Sequence, residues 1–336
     1  MAGLYGALTG FGTVMQIILK RKSFFTVNDR PKPPACLMDR NLGEHHFIQT
    51  KNVKLHYVSK GDPKKPLMLF IHGFPEVWYS WRKQLPVFAD NYYTVALNMR
   101  GYGDSDKPLG VANYAVDKLV DDIRDVVHGL GKKKCIIVCH DWGGLVGWTT
   151  AAQYPELVDK FIVCNAPQIK HFMDTIEGSW KQFLSSWYLP LRFISIHKYI
   201  YFFNLPFLPE LRFRCNDLQV FDFIFKKLGT KDDIDAYKYY FCKPGALTPP
   251  INYYRALQRN YAAHYLNKVK DKRITAPTLV LWGKDDIALT ESLAADSCKS
   301  CDNYTIKIID NCSHWTPFDR PDLVNKYIKE FLDKNH

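Results

Sequence analysis

The sequence has no second CxxC to pair with Cys298 and Cys301, no zinc-finger spacing, no ribonucleoprotein-type aromatic motif, no internal repeat and no low-complexity tract. A structural zinc module, an aromatic RNA-reading face and a repeat solenoid are thereby excluded, and no metal or cofactor is expected. Acidic residues are in deficit: 34 Asp and Glu stand against 45 Lys and Arg, for a net charge of +11. The basic excess gathers at Lys20, Arg21 and Lys22 and again at Lys132, Lys133 and Lys134. It suits an anionic membrane surface, and without a reading motif nucleic acid is not an expected partner. The nine cysteines are odd in number and fall mostly within apolar runs, such as those around Cys135, Cys139 and Cys164. They read as buried thiols in a reducing compartment rather than as a disulfide framework.

Charge is missing altogether from Ala2 to Leu19, AGLYGALTGFGTVMQIIL, a run that just reaches the length needed to cross a bilayer. A secretory signal carries its positive charge before the apolar region, whereas here Lys20, Arg21 and Lys22 follow it. That order predicts an uncleaved anchor or an interfacial helix over residues 1–22, with the basic flank and the body on the cytosolic side. Cytosolic placement leaves unused the two glycosylation sequons at Asn303 and Asn311.

Pro31, Pro33 and Pro34 mark residues 23–42 as a linker, and the body begins near Gly43. Hydrophobic residues make up 47% of the chain, enough to fill a large core. Short apolar runs then alternate with helical stretches: KLHYV at Lys54, PLMLFI at Pro66, YTVALN at Tyr93, KCIIVC at Lys134, KFIVCN at Lys160, PTLVLW at Pro277 and YTIKII at Tyr304. Strands apolar on both faces and alternating with helices predict a mostly parallel sheet covered on both sides. The alternation lapses from 167 to 275, where SWYLPLRF, IHKYIYFFNLPFLPE and PINYYRAL concentrate aromatic residues. This segment is expected to be a mainly helical cap between two halves of one sheet domain, 43–166 and 276–336.

Strand KCIIVC runs directly into His140, Asp141, Trp142, Gly143 and Gly144, which puts a carboxylate on a sharp strand-to-helix turn. Such a nucleophile elbow requires small residues two positions to either side, because the flanking backbones approach closely. Gly143 meets the requirement, and Cys139 stands where glycine is commoner. A serine in this place would need a base to become nucleophilic, whereas a carboxylate with a pKa of about 3.9 is ionised at neutral pH. It is suited to displacement at an electrophilic sp3 carbon, as in an epoxide or an alkyl halide, to give an ester of the enzyme. Hydrolysing that ester requires an activated water and donors for the tetrahedral oxyanion.

His314, in NCSHWTPFDRP after the YTIKII strand, is the histidine expected to activate the water, and Asp285 or Asp286 in LVLWGKDDIAL is the acid to orient it. Nucleophile, acid and histidine in that chain order predict an α/β-hydrolase fold. HisGlyPhePro from His72 breaks a strand where this fold places its oxyanion loop. The backbone N–H groups of Phe74 and Trp142 are the expected donors, with Pro75 a candidate for a cis peptide.

HGFPEVWYSWR from His72, GYGDSDKP from Gly101, HDWGG from His140, LWGKDD and SHW together resemble the epoxide hydrolases of the α/β-hydrolase superfamily, in particular the membrane-associated group that includes vertebrate epoxide hydrolases 3 and 4. The resemblance runs from about Gly43 to the C-terminus. It implies Asp141 as nucleophile, Asp286 as acid, His314 as base, and two cap tyrosines that protonate the epoxide oxygen. These match Tyr254 in INYYRAL and Tyr199 in KYIYFFNLP, with Tyr201 and Tyr253 as neighbours able to compete. It further implies lipophilic epoxides as substrates, fatty-acid epoxides first, and a place on the endoplasmic reticulum with the catalytic domain facing the cytosol. Two other readings stand beside it: a haloalkane dehalogenase, which needs no proton donor, and a silent membrane-associated scaffold.

Overall fold

A computed structural model describes residues 26–174, 200–227 and 229–335. Its centre is an eight-stranded sheet: β1 (Glu44–Gln49), β2 (Lys54–Lys60), β3 (Leu67–Ile71), β4 (Tyr93–Leu97), β5 (Cys135–His140), β6 (Val158–Cys164), β7 (Thr278–Gly283) and β8 (Tyr304–Ile309). The strands lie in the order β1-β2-β4-β3-β5-β6-β7-β8. β1 with β2 and β2 with β4 are antiparallel, and every other pair is parallel. All seven strands expected from apolar runs are present. The eighth, β1, is EHHFIQ at one edge, polar and largely exposed.

The central strands β3, β4, β5 and β7 are buried along their whole length, which is why they read as continuous apolar runs rather than as alternating ones. Helix α1 (Val116–Gly129) buries Leu119, Val120, Ile123, Val126 and Val127, while Lys118, Asp121 and Arg124 occupy its other face, the spacing of an amphipathic surface helix. Helix α2 (Trp142–Gln153), WGGLVGWTTAAQ, has no polar stripe and is buried all round beside β5 and β6. All nine cysteines are free thiols, and seven of them are buried.

The described chain separates into two compact units. The sheet unit comprises Asp39–Pro108, Val116–Thr175 and Ala262–His336. The other comprises Leu109–Ala115 and the described parts of Met1–Met38 and Ile176–Tyr261. Within this second, helical unit, α3 (Leu208–Phe225) is interrupted at Asn216, Asp217 and Leu218, all with positive φ. Two carboxylate oxygens of Asp217 hold Arg30 at 2.9 and 2.7 Å and also accept from the Asn28 backbone and amide. The proline-rich stretch read as a linker is therefore tied to this unit. Helix α4 (Lys231–Phe241) starts at a capping box between Thr230 and Asp233. Phe225 stacks on Tyr237 at 4.2 Å and Phe221 meets Phe241 at 4.9 Å, so the aromatic richness of the insert serves its own core first. Residues 1–22, and Tyr199 with them, lie outside the described residues.

Candidate active site

Four loops, at the carboxyl ends of the parallel strands β3, β5, β7 and β8, build the site. Asp141 follows β5 with φ 49° and ψ −121°, a conformation that only the surrounding packing can hold. The crowding is direct: a Cβ on Gly143 would collide with the carbonyl oxygens of Ile71 and His72, and one on Gly73 with the Asp141 side chain. Cys139 fits at the other small position, its thiol turned to the Ile162 carbonyl at 3.4 Å. The elbow thus has the shape its sequence required, with cysteine taking the place of glycine.

Asp286 follows β7 and His314 follows β8. His314 Nδ1 lies 2.7 Å from Asp286 Oδ2, and its Nε2 lies 3.5 Å from Asp141 Oδ2. Asp286 is 2% exposed and fully partnered: Oδ1 accepts the Ala288 and Leu289 N–H groups at 2.8 and 2.9 Å, and Oδ2 also accepts the Asn165 amide at 2.8 Å. Such a carboxylate can only accept, so His314 carries its proton on Nδ1 and turns Nε2 toward Asp141. The neighbouring Asp285 is exposed, which decides between the two acids in the sequence.

Burial works against the charge on His314, but the carboxylates of Asp286 and Asp141 outweigh it and hold the imidazole well above its ordinary range. Burial likewise works against both carboxylates, and the same histidine, with the N–H donors around them, keeps Asp141 and Asp286 below the usual carboxylate range. The group at the elbow is accordingly anionic at neutral pH. Phe74 N–H donates to Asp141 Oδ1 at 2.7 Å, from a loop whose Phe74–Pro75 peptide is cis. Trp142 is the first residue of α2, directly after the elbow. One carboxylate oxygen is tied by the loop while the other faces the histidine.

The model of the family described as alpha/beta hydrolase fold matches residues 66–321. Epoxide hydrolase 1 of Caenorhabditis elegans is 42% identical over 326 residues, covering 94% of this chain and 76% of that protein. Human epoxide hydrolase 4 is 40% identical over 316 residues, covering 90% and 83%. The crystal structure of Bacillus megaterium epoxide hydrolase with an inhibitor superposes with a TM-score of 0.74 at 31% identity, covering 86% of this chain and all of that one. The chain belongs to the epoxide hydrolases. A variant of the B. megaterium enzyme, at 30% identity, is known with its naphthyloxy-propane-1,2-diol product bound.

In this epoxide hydrolase the helical unit carries Tyr254 on α5 (Thr248–Gln258), where the ring is half-buried and meets Phe203 edge-on at 4.8 Å. Tyr253 is 1% exposed and packed against Tyr114. Arg255, buried beside them, donates to the carbonyls of Phe203 and Leu205 and forms a paired contact with Glu210. The arginine therefore locks α5 to the turn that follows residue 200. Pattern reading gave no role to Arg255 or to Asn165, whose amide joins Asp286 to the Gly283 N–H and the Thr316 hydroxyl. A polar residue at the carboxyl end of a buried strand, as Asn165 is to β6, was the available signal. The contact itself spans 121 residues of sequence.

Proposed function

We propose that this epoxide hydrolase converts lipophilic epoxides, fatty-acid epoxides first among them, to vicinal diols through an alkyl ester on Asp141. The observation that carries the mechanism is the divided carboxylate: Oδ1 held by Phe74 N–H and Oδ2 facing His314. Oδ2 attacks an epoxide carbon while Tyr199 and Tyr254 give a proton to the departing oxygen. His314 then takes a proton from water, which adds to the ester carbon, and the electron pair moves to Oδ1 between the N–H groups of Phe74 and Trp142; its return breaks the Cγ–Oδ2 bond, and His314 gives the proton to the departing diol oxygen. Asp286 supports the imidazolium. A dehalogenase reading draws no support from the relatives described above, which are epoxide hydrolases, and a silent scaffold is at odds with a complete nucleophile, acid and base.

The aromatic insert and the resemblance to epoxide hydrolases 3 and 4 together favour long, apolar substrates. Purified protein assayed for diol release from a panel of fatty-acid, terpenoid and aryl epoxides should show its highest kcat/KM on the fatty-acid members. A clear preference for short polar epoxides would overturn the assignment. We further propose that residues 1–22 hold the enzyme on the endoplasmic reticulum membrane with its catalytic domain in the cytosol, from the uncharged Ala2 to Leu19 run and its basic flank. Full-length protein should then stay with microsomal membranes through alkaline extraction, and its release into the supernatant would refute the anchor.

A further inference from the structure

The donor aimed at Asp141 belongs to the peptide between Gly73 and Phe74, and a peptide's C=O and N–H point in opposite directions. Whatever holds the Gly73 carbonyl therefore decides where Phe74 N–H points. Two groups hold it: His72 Nδ1 at 2.8 Å and the Glu76 N–H at 3.1 Å. His72 is fully buried, its ring edge-on to Tyr102 at 4.6 Å. Its other nitrogen, Nε2, lies 3.2 Å from the backbone nitrogen of Met99. A backbone N–H can only donate, so Nε2 must present a lone pair and the ring proton must sit on Nδ1, facing the Gly73 carbonyl.

We propose that His72 is a positioning residue for ester hydrolysis, acting as a neutral imidazole whose Nδ1–H fixes the Gly73–Phe74 peptide so that Phe74 N–H stays aimed at Asp141 Oδ1. An imidazolium at this place would set two N–H groups against each other at Met99. Burial, which outweighs the pull of Glu76 and Asp141, lowers the His72 pKa to about 4 and agrees with the neutral form. The proposal rests on Asp141 being the nucleophile, and it separates the two halves of the reaction. Oδ1 is part of an anion in the resting enzyme and a neutral carbonyl oxygen in the ester. It becomes an alkoxide only when water adds to the ester carbon and the C=O electron pair moves onto it, the water's proton passing to His314. Losing the aim of Phe74 N–H removes stabilisation from that oxyanion, while ester formation, in which charge leaves Oδ1, is not slowed.

Two substitutions divide the contacts of the ring. The Asn amide nitrogen occupies the place of Nδ1 and keeps the donor to Gly73, whereas the Gln side chain reaches the place of Nε2 and keeps only the acceptor for Met99. With styrene oxide as probe, His72→Gln should form the Asp141 ester at close to the wild-type rate and hydrolyse it about 10- to 100-fold more slowly, so that the alkyl-enzyme accumulates in intact-mass spectra. His72→Asn should recover most of the hydrolysis rate although it has lost the Met99 contact. Equal slowing of both steps in the two variants, or wild-type ester hydrolysis in His72→Gln, would overturn the proposal. The wild-type protein gives an independent reading, should a variant not fold: 15N spectra of labelled histidine should show His72 protonated at Nδ1 and bare at Nε2 from pH 6 to 8, and the opposite tautomer or an imidazolium would overturn it. His314→Gln, run in parallel, distinguishes the two layers. If it also yields no ester on Asp141, the covalent reading itself fails rather than the role of His72.

Discussion

His314→Gln should consume one epoxide per active site and then stop. Oδ2 of Asp141 can still attack, because Phe74 N–H still donates to the carboxylate and the tyrosines do not need a base at position 314, although Asp141 loses the help of His314 in staying ionised. Water then meets an ester without the imidazole that takes its proton, and ester hydrolysis should fall by about 10²- to 10⁴-fold. Mass spectrometry should find the peptide containing Asp141 heavier by one substrate. Wild-type enzyme at limiting turnover in heavy-oxygen water should release unlabelled diol and carry the label on Asp141 itself. Labelled diol from the first turnover, with Asp141 unlabelled, would mean that His314 directs water at the epoxide and that no ester forms.

The charges in the site also set the pH dependence of this second step. In the resting enzyme the Asp141 carboxylate helps to raise the His314 pKa, and a histidine held protonated is not a base. In the proposed ester that carboxylate is a neutral group. Each pKa unit it contributed was about 1.4 kcal/mol in favour of the proton, so His314 titrates lower in the ester than in the free enzyme. Single-turnover hydrolysis of the wild-type ester should therefore rise with pH through a pKa below that of His314 in the resting protein, and in His314→Gln the rise should vanish.

The double variant Tyr199→Phe/Tyr254→Phe should lose the first step instead. An epoxide oxygen develops alkoxide character as its ring opens, and a phenol with a pKa near 10 can hydrogen-bond to it and supply a proton. Either phenol carries part of that charge, so each single variant should slow ester formation by about one or two powers of ten and the pair by far more. Ester hydrolysis should be unaffected, which separates this loss from that of His314→Gln. Near-native turnover by the double variant would pass the role to Tyr201 or Tyr253. The Tyr253 ring is buried against Tyr114, whereas that of Tyr254 is half-buried.

The sheet could be read from the sequence because strands buried on both faces leave uninterrupted apolar runs, and β3, β5 and β7 are of that kind. β1 left no such trace. An edge strand made of EHHFIQ is held by its pairing with β2, and its pattern resembles that of a loop. The elbow, the acid loop and the histidine were found because each sits directly after a strand. The frame around them was not. Glu76 accepts the Gly73 N–H at 2.6 Å and faces His140 at 3.1 Å, while His140 Nε2 donates to the His314 carbonyl at 2.8 Å. Such contacts join loops distant in sequence, and no periodicity announces them. A buried polar residue in one of these loops is a place to ask for a partner, though only the fold can say which.

Epoxides alkylate thiolates as well as carboxylates, so an enzyme that gathers them risks being consumed by its own substrate. The seven buried cysteines bear on that hazard. Burial raises all of their pKa values, to about 12 at Cys298 and about 11 at Cys301 and Cys312, and the thiolate is the form that reacts. Cys139 stands two residues from Asp141 and is held this way. If Asp141 is the nucleophile proposed above, the packing that keeps sulfur protonated beside it leaves oxygen as the atom to be alkylated, where the ester bond can be undone, whereas a thioether would be permanent.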